Sequence, residues 1–187
     1  MATTTRRYTA EDLWLMPSDA PYELWRGELV EAPPSGLESS AVALRIGRKI
    51  GDFVEDRDLG VVSGEAGGYI LFPDQETVVA PDVGFVRWER LPERKAPKKH
   101  CPVSPDLAVE VISPSDEPGK MADKLALYLE AGVPLVWWVD LSRRTVRVHR
   151  PGRPVQELRE SDVIDGEDIL PGFRLAVADI FAAVASS

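Results

Sequence analysis

The strongest signal for the fold is the segment Pro105-Asp106-Leu107-Ala108-Val109-Glu110-Val111-Ile112-Ser113-Pro114-Ser115-Asp116. Residues 107–112 are apolar at every position but one, which is typical of a strand buried on both faces of a covered sheet. A helical pattern over 120–131 follows, ends at Gly132, and leads to a second apolar strand over 135–140. This order predicts an α/β (α+β) fold, in which helices pack on a mixed sheet around one core.

Weaker patterns on both sides complete the expected domain. A capping box at 9–12 predicts a short helix over 10–15, and residues 22–32 are typical of a hairpin that turns at Arg26-Gly27. Apolar residues at helical spacing predict a long amphipathic helix over 38–57. Further strands are expected over 61–64, 69–72, 78–86 and 145–150, small edge strands within 155–175, and a closing helix over 176–185. With 187 residues, the chain is expected to form one domain, residues 1–187.

Composition excludes several classes of protein. Apolar residues make up 44% and charged residues 28%, which argues against disorder, collagen and coiled coils. No apolar run is long enough for a membrane helix, and the polar start, Met1 to Arg7, does not resemble a signal peptide. The single cysteine, Cys101, excludes an intramolecular disulfide and a cysteine-cluster zinc site. A cytoplasmic location is therefore expected.

The net charge of −9 argues against bulk electrostatic coating of DNA or of an anionic membrane. Two basic segments, residues 87–99 and 143–153, nevertheless stand out. Their cationic side chains are Arg87, Arg90, Arg94, Lys95, Lys98, Lys99, Arg143, Arg144, Arg147, Arg150 and Arg153. They are either solvated surface residues or a rim that contacts phosphate groups.

Three residues carry the chemistry. Glu110 lies within an apolar strand, where a carboxylate is costly unless it has a cationic partner, a metal ion or a proton. Asp82 follows Pro81 at the expected start of a strand, although an aspartate there can equally be a turn or cap residue. Lys124 shares a helix face with Lys120 and Tyr128, and it can either reach the end of the Glu110 strand or remain in solvent.

Two carboxylates and a lysine at adjacent strand ends suit phosphodiester hydrolysis. Mg²⁺ prefers oxygen ligands, polarises the phosphate and lowers the pKa of bound water, while a lysine orients the water or offsets negative charge. This chemistry needs no histidine. The two histidines, His100 and His149, are isolated in the sequence, and His149 is expected to be exposed.

The ordered series of motifs resembles the Uma2 family of restriction endonuclease-like proteins. The matching stretches are residues 22–31, 81–83, 105–116, 124–128, 131–133, 137, 139–140 and 170–173. The family is assigned to the PD-(D/E)XK nuclease superfamily, which implies a mixed four- to five-stranded sheet flanked by helices. The resemblance implies that Asp82, Glu110 and the main-chain carbonyl of Val111 hold the metal ion.

The chain departs from the family pattern at several positions. The superfamily's lysine usually follows the glutamate by two residues, where this chain has Ile112; Lys124 resembles a migrated replacement, with Lys120 as the alternative. Glu38 stands where the family often has histidine, and Leu135-Val136 replaces Glu-Tyr. Glu38 and Glu65 are either additional site acids or surface residues.

These observations favour a metal-dependent endonuclease that uses Mg²⁺ or Mn²⁺ and cleaves nucleic acid, DNA being expected. Its expected phosphate contacts are Arg87, Lys98, Lys99, Lys120, Arg143 and Arg144. We expect no membrane partner. We do expect a homodimer. Two alternatives remain open at this point: hydrolysis of another phosphate ester, including RNA or a nucleotide, and a catalytically inactive binding or assembly module with the nuclease fold.

Overall fold

The computed structural model describes residues 6–17, 20–32, 34–114 and 116–182. Ser115 of the sequence motif and residues 183–185 of the expected closing helix lie outside these ranges. The α-helices within them are α1 (Ala10–Trp14), α2 (Leu37–Glu55), α3 (Pro118–Glu130) and α4 (Val177–Phe181). The capping box that begins α1 is present, since Thr9 and Asp12 each accept a hydrogen bond from the other's backbone N–H.

A six-stranded mixed sheet forms the centre of the molecule. Its strands are β3 (Gly60–Gly64), β6 (Val83–Arg87), β7 (Leu107–Ile112), β8 (Leu135–Asp140), β9 (Thr145–His149) and β10 (Gln156–Leu158). Their order is β10-β9-β8-β7-β6-β3. The parallel pair β7 and β8 is connected through α3, and the register aligns Glu110 with Trp138. This sheet contains one strand more than the family resemblance implied.

A second, antiparallel sheet contains the N-terminal hairpin. Its strands are β1 (Tyr22–Trp25), β2 (Glu28–Glu31), β4 (Tyr69–Phe72) and β5 (Thr77–Val79), in the order β2-β1-β5-β4. The strands β11 (Val163–Asp165) and β12 (Arg174–Ala176) form a separate antiparallel pair. Gly84 allows Tyr69 of the second sheet to pack on β6, because a Cβ at Gly84 would lie 2.5 Å from the Tyr69 hydroxyl oxygen.

Hydrophobic clusters cover both faces of the central sheet, where the sequence predicted one core. Side chains alternate between the two faces along a strand. In β7, Leu107, Val109 and Val111 therefore pack in the cluster that contains α2 and α4. Ala108 packs in the other cluster, with buried side chains of α3 and of the second sheet. Glu110 shares this second face with Ala108, so its carboxyl points toward the layer formed by α3 and the hairpin sheet.

The single strand predicted over 78–86 is wrong. The chain leaves the second sheet at Val79 and enters the six-stranded sheet at Val83. Pro81 lies in the connection, where its missing N–H costs no ladder hydrogen bond. Asp82 consequently lies where the chain passes from one sheet to the other.

The remaining elements agree with the patterns in the sequence within a few residues. The helix α3 begins two residues before the predicted start, because Pro118 occupies a position at the helix N-terminus where no N–H is needed. Mixed sheet, flanking helices and N-terminal hairpin together confirm the predicted fold class. Within the described residues, no helix is both long and apolar enough to cross a membrane.

Candidate active site

Glu110 forms the centre of the candidate site. Only 5% of its surface is exposed. Its Oε1 accepts a hydrogen bond of 2.6 Å from the Tyr128 hydroxyl and lies 2.8 Å from the Lys124 Nζ. The cationic partner that a carboxylate within an apolar strand needs is therefore a lysine on the following helix.

The helix α3 positions both partners because of its periodicity. Lys124 and Tyr128 are four residues apart and lie on one face of the helix, and the crossover from β7 to β8 lays that face over Glu110. The Tyr128 ring is fully buried, and the Lys124 side chain is only 12% exposed. Lys124 also donates a hydrogen bond of 3.0 Å to the carbonyl oxygen of Ala80.

Glu23 in β1 is a member of the site that the sequence analysis missed. Its Oε1 lies 2.9 Å from the Lys124 Nζ and accepts a hydrogen bond of 2.9 Å from the backbone N–H of Ala80. Its Oε2 accepts a hydrogen bond of 2.8 Å from the Trp25 indole. The hairpin therefore contributes a buried carboxylate, and Lys124 is held between two acids from different sheets.

Asp82 borders the same group from the start of β6. Its Oδ2 accepts a hydrogen bond of 2.6 Å from the backbone N–H of Val111. This contact joins the connection between the two sheets to the residue that follows Glu110. The structure thus brings together Asp82, Glu110 and Lys124, as the sequence predicted, and adds Glu23 and Tyr128; these five residues are called the acid–lysine cluster below.

Burial and mutual charge shift the pKa values within the cluster. Burial raises the pKa of Glu110 to about 8, although the charge of Lys124 opposes the shift. Burial also raises the pKa of Asp82, against the hydrogen bond from Val111 and the charge of Lys124. Burial alone would lower the pKa of Lys124, but the carboxylates of Glu110 and Glu23 outweigh it and the pKa is raised. Lys124 is therefore a cation at neutral pH.

The cluster lies on a groove of about 880 Å³. Asp82, Glu110, Val111 and Lys124 line it, together with the predicted residues Glu65 and Lys120. The negative charge of Glu65 contributes to the raised pKa of Asp82, which indicates that these two acids are close. Lys120 donates a hydrogen bond to the backbone carbonyl of Glu31, and this contact connects α3 with the end of the hairpin.

Glu38, predicted as a possible site acid, is not among the residues that line the groove. It is exposed near the start of α2, and its charge acts on Arg144 instead. Of its two interpretations, the structure favours the surface one.

The predicted phosphate contacts are similarly dispersed, since Lys120 alone among them lines the groove. Arg87 donates to the backbone carbonyls of Asp168 and Ile169. The ion pairs of the basic segments include Lys99–Glu11, Arg94–Asp58, Arg143–Asp140 and Arg144–Glu160. Both segments are therefore largely neutralised within the protein.

The donor set suits a hard, hydrated cation. Within the described ranges, no group of three or more His, Cys, Asp and Glu side chains is arranged to hold a metal ion. Carboxylates and water are the usual ligands of Mg²⁺, which often binds through one or two carboxylates and substrate phosphate. The chemistry of Asp82 and Glu110 thus fits Mg²⁺ or Mn²⁺.

The chain thus combines a mixed sheet flanked by helices with two acids and a lysine that are grouped beside neighbouring strands, a fold of the nuclease-like class. The chain belongs to the Uma2 family, since the family model, described as "Putative restriction endonuclease", matches residues 9–178.

The structural comparison agrees with this assignment at the level of the fold. A crystal structure described as a putative nuclease belonging to DUF820, from Anabaena variabilis, superposes with a TM-score of 0.81 and 18% identity. The match covers 95% of this chain and 99% of that one. The comparison with curated proteins gives no match.

Proposed function

We propose that this protein is a metal-dependent nuclease that hydrolyses phosphodiester bonds in nucleic acid, with DNA as the expected substrate. The observation that carries the proposal is the convergence of Asp82, Glu110 and Lys124 on one groove. Lys124 lies 2.8 Å from Glu110 even though the position two residues after the glutamate is Ile112. A lysine supplied by the helix can therefore serve where the strand offers none.

Each residue has a distinct role in this proposal. Asp82, Glu110 and the Val111 carbonyl would hold Mg²⁺ or Mn²⁺, which supplies a polarised phosphate and a bound water of lowered pKa. Lys124 stays cationic and offsets the negative charge that develops on the phosphate. Tyr128 donates to Glu110 and fixes its carboxyl, and Glu23 fixes the lysine. A homodimer is part of the proposal.

A second candidate function is a binding or assembly module without catalysis. The specific observation in its favour is that Glu110 is already satisfied by Lys124 and Tyr128, with a pKa of about 8. A protonated carboxyl is a poor ligand for Mg²⁺, so metal binding would have to displace the proton near neutral pH. A pure binding module would need no metal ion at this position.

Calorimetric titration with Mn²⁺ and then Mg²⁺ tests the two candidates. We expect the wild-type protein to bind Mn²⁺ and to release protons as Glu110 ionises, and we expect Asp82→Ala and Glu110→Ala to lose binding. Glu55→Ala is the matched control, because Glu55 is an exposed acid at the end of α2. Nucleic-acid cleavage that is equal in wild type and both acid variants would contradict the assignment of the site.

A further inference from the structure

Aromatic and apolar side chains line part of the groove, and this part is called the aromatic wall below. Trp14 and Tyr22 line the groove and are 42% and 37% exposed, so substantial parts of both rings are not covered by the core. The Trp14 ring meets His100 edge-on, with 5.5 Å between the ring centroids, and this contact restrains the indole. Met16 and Met121 extend the same lining. Large rings are thus presented to solvent in the groove that the acid–lysine cluster also lines.

The charge of the groove argues against binding through phosphates alone. Among the described residues that line it, the acids are Glu23, Glu65, Asp82, Glu110, Asp116 and Glu117, and the cations are Lys120 and Lys124. Lys124 is already held by two carboxylates. Proteins that bind duplex DNA electrostatically neutralise several phosphates with Lys and Arg. The cations available in this groove are too few for that mode, even with a divalent ion at Asp82 and Glu110.

We propose that the aromatic wall is a subsite for an unpaired nucleobase, so that the substrate is single-stranded or locally unpaired nucleic acid. Every base has a π face that stacks on tryptophan or tyrosine, and in an intact duplex that face is hidden by its neighbours. Trp14 and Tyr22 hold the base while the adjacent phosphate lies toward Asp82 and Glu110. The inference rests on the proposed function, since it takes nucleic acid to be the ligand.

Fluorescence anisotropy with three labelled probes tests this subsite, with Ca²⁺ in place of Mg²⁺ to suppress turnover. The probes are a single strand, the duplex of the same sequence, and the same single strand with abasic sites. We expect the single strand to bind most tightly and the abasic strand at least about fivefold more weakly, because stacking contributes at least about a factor of five per base.

The variants Trp14→Ala and Tyr22→Ala are expected to weaken single-strand binding by a similar factor. Trp14→Phe and Tyr22→Phe keep a ring, and most of the affinity is expected to return in these variants. Leu15→Ala is the matched control and should bind like the wild type, because Leu15 follows Trp14 on the exposed surface and does not line the groove. Circular dichroism on each variant verifies that it is folded.

Several outcomes overturn the proposal: equal binding of the abasic strand, tighter binding of the duplex, full affinity in both alanine variants, or no binding of any probe by the wild type. Cleavage is scored separately, with Mg²⁺ and the Asp82→Ala variant. A protein that stacks the single strand but cuts nothing supports the subsite and contradicts the nuclease proposal. A protein whose cleavage depends on Asp82 but which binds the duplex more tightly supports the nuclease proposal and contradicts the subsite.

Discussion

The acid–lysine cluster and the two basic segments handle charge in opposite ways. In the cluster, Lys124 and its two carboxylates are almost completely buried and share one set of contacts. In the basic segments, pairs such as Arg94–Asp58 are mostly exposed, with 57% and 78% of the side chains accessible. Exposed pairs contribute little to stability, whereas removing one partner of a buried pair leaves an uncompensated charge. One carboxylate in an apolar strand is therefore more informative about the location of the site than a run of lysines and arginines.

The largest expected effect comes from removing the buried cation. Lys124→Ala leaves the buried carboxylate of Glu23 without its positive partner and removes the cation beside Glu110, which is expected to lower the free energy of unfolding by about 3–5 kcal/mol. Urea denaturation at neutral pH measures this loss. Arg94→Ala is the control from the surface, with an expected loss below about 1 kcal/mol. Similar losses for the two variants would show that water reaches the remaining acids of the cluster and that its ion pairs stabilise the fold no more than exposed ones.

The next effect comes from neutralising Glu23 while keeping its shape. In Glu23→Gln the amide oxygen still accepts from Ala80, but the amide nitrogen cannot accept from the Trp25 indole and the charge that faces Lys124 is lost, which is expected to cost about 1.5–3 kcal/mol. The negative charge of Glu23 also contributes to the raised pKa of Glu110, so this pKa should fall from about 8. Carboxyl ¹³C NMR titration measures the shift, and Glu28→Gln in the same hairpin is the control. An unchanged pKa of Glu110 would mean that the charge of Glu23 does not act on it.

A pH-dependent effect, smaller when counted per pH unit, follows from the pKa of Glu110 itself. A carboxyl with a raised pKa favours folding while protonated in the native state, so its contribution is complete below the unfolded pKa of about 4.5 and is lost as pH rises toward 8. With a chelator present, wild-type stability should therefore fall between pH 5 and 8, by at most about 1.4 kcal/mol per pH unit for this one group. Glu110→Gln should flatten the profile, because an amide does not titrate in this range. Identical slopes in wild type and variant would contradict the raised pKa.

The architecture could be predicted where the signal is local. The apolar run at 107–112, the helical period of α3 and the turn at Arg26-Gly27 each depend on neighbours within a few residues. The split of the 78–86 segment into two strands was missed, although Pro81, which cannot donate to a ladder, is a local signal for it. We expected His149 to be exposed, but its ring packs against Trp138 with 5.3 Å between centroids and is only 7% exposed.

Contacts across the chain could not be predicted in the same way. Glu23 alternates with apolar Leu24 in a short hairpin strand, a pattern that is typical of a solvent-exposed face. Only the tertiary structure covers that face, by bringing Ala80, 57 residues away, and Lys124 against it. The same holds for Lys99, whose acidic partner Glu11 is 88 residues distant. Charge runs therefore indicate which residues are polar, but not which are free to bind phosphate.

The smallest expected effect is on the salt dependence of nucleic-acid binding, and it distinguishes a cation that lines the groove from cations that are held in ion pairs. Lys120 lines the groove, whereas Arg143 and Arg144 are paired with Asp140 and Glu160. A lysine that contacts one phosphate contributes about one unit to the slope of the logarithm of the binding constant against the logarithm of salt concentration. Lys120→Ala should therefore reduce this slope for the single-stranded probe by about one, and Arg143→Ala with Arg144→Ala should leave it unchanged. If the slope fell only in the arginine double variant, the phosphates of the nucleic acid would contact the basic segments and not the groove.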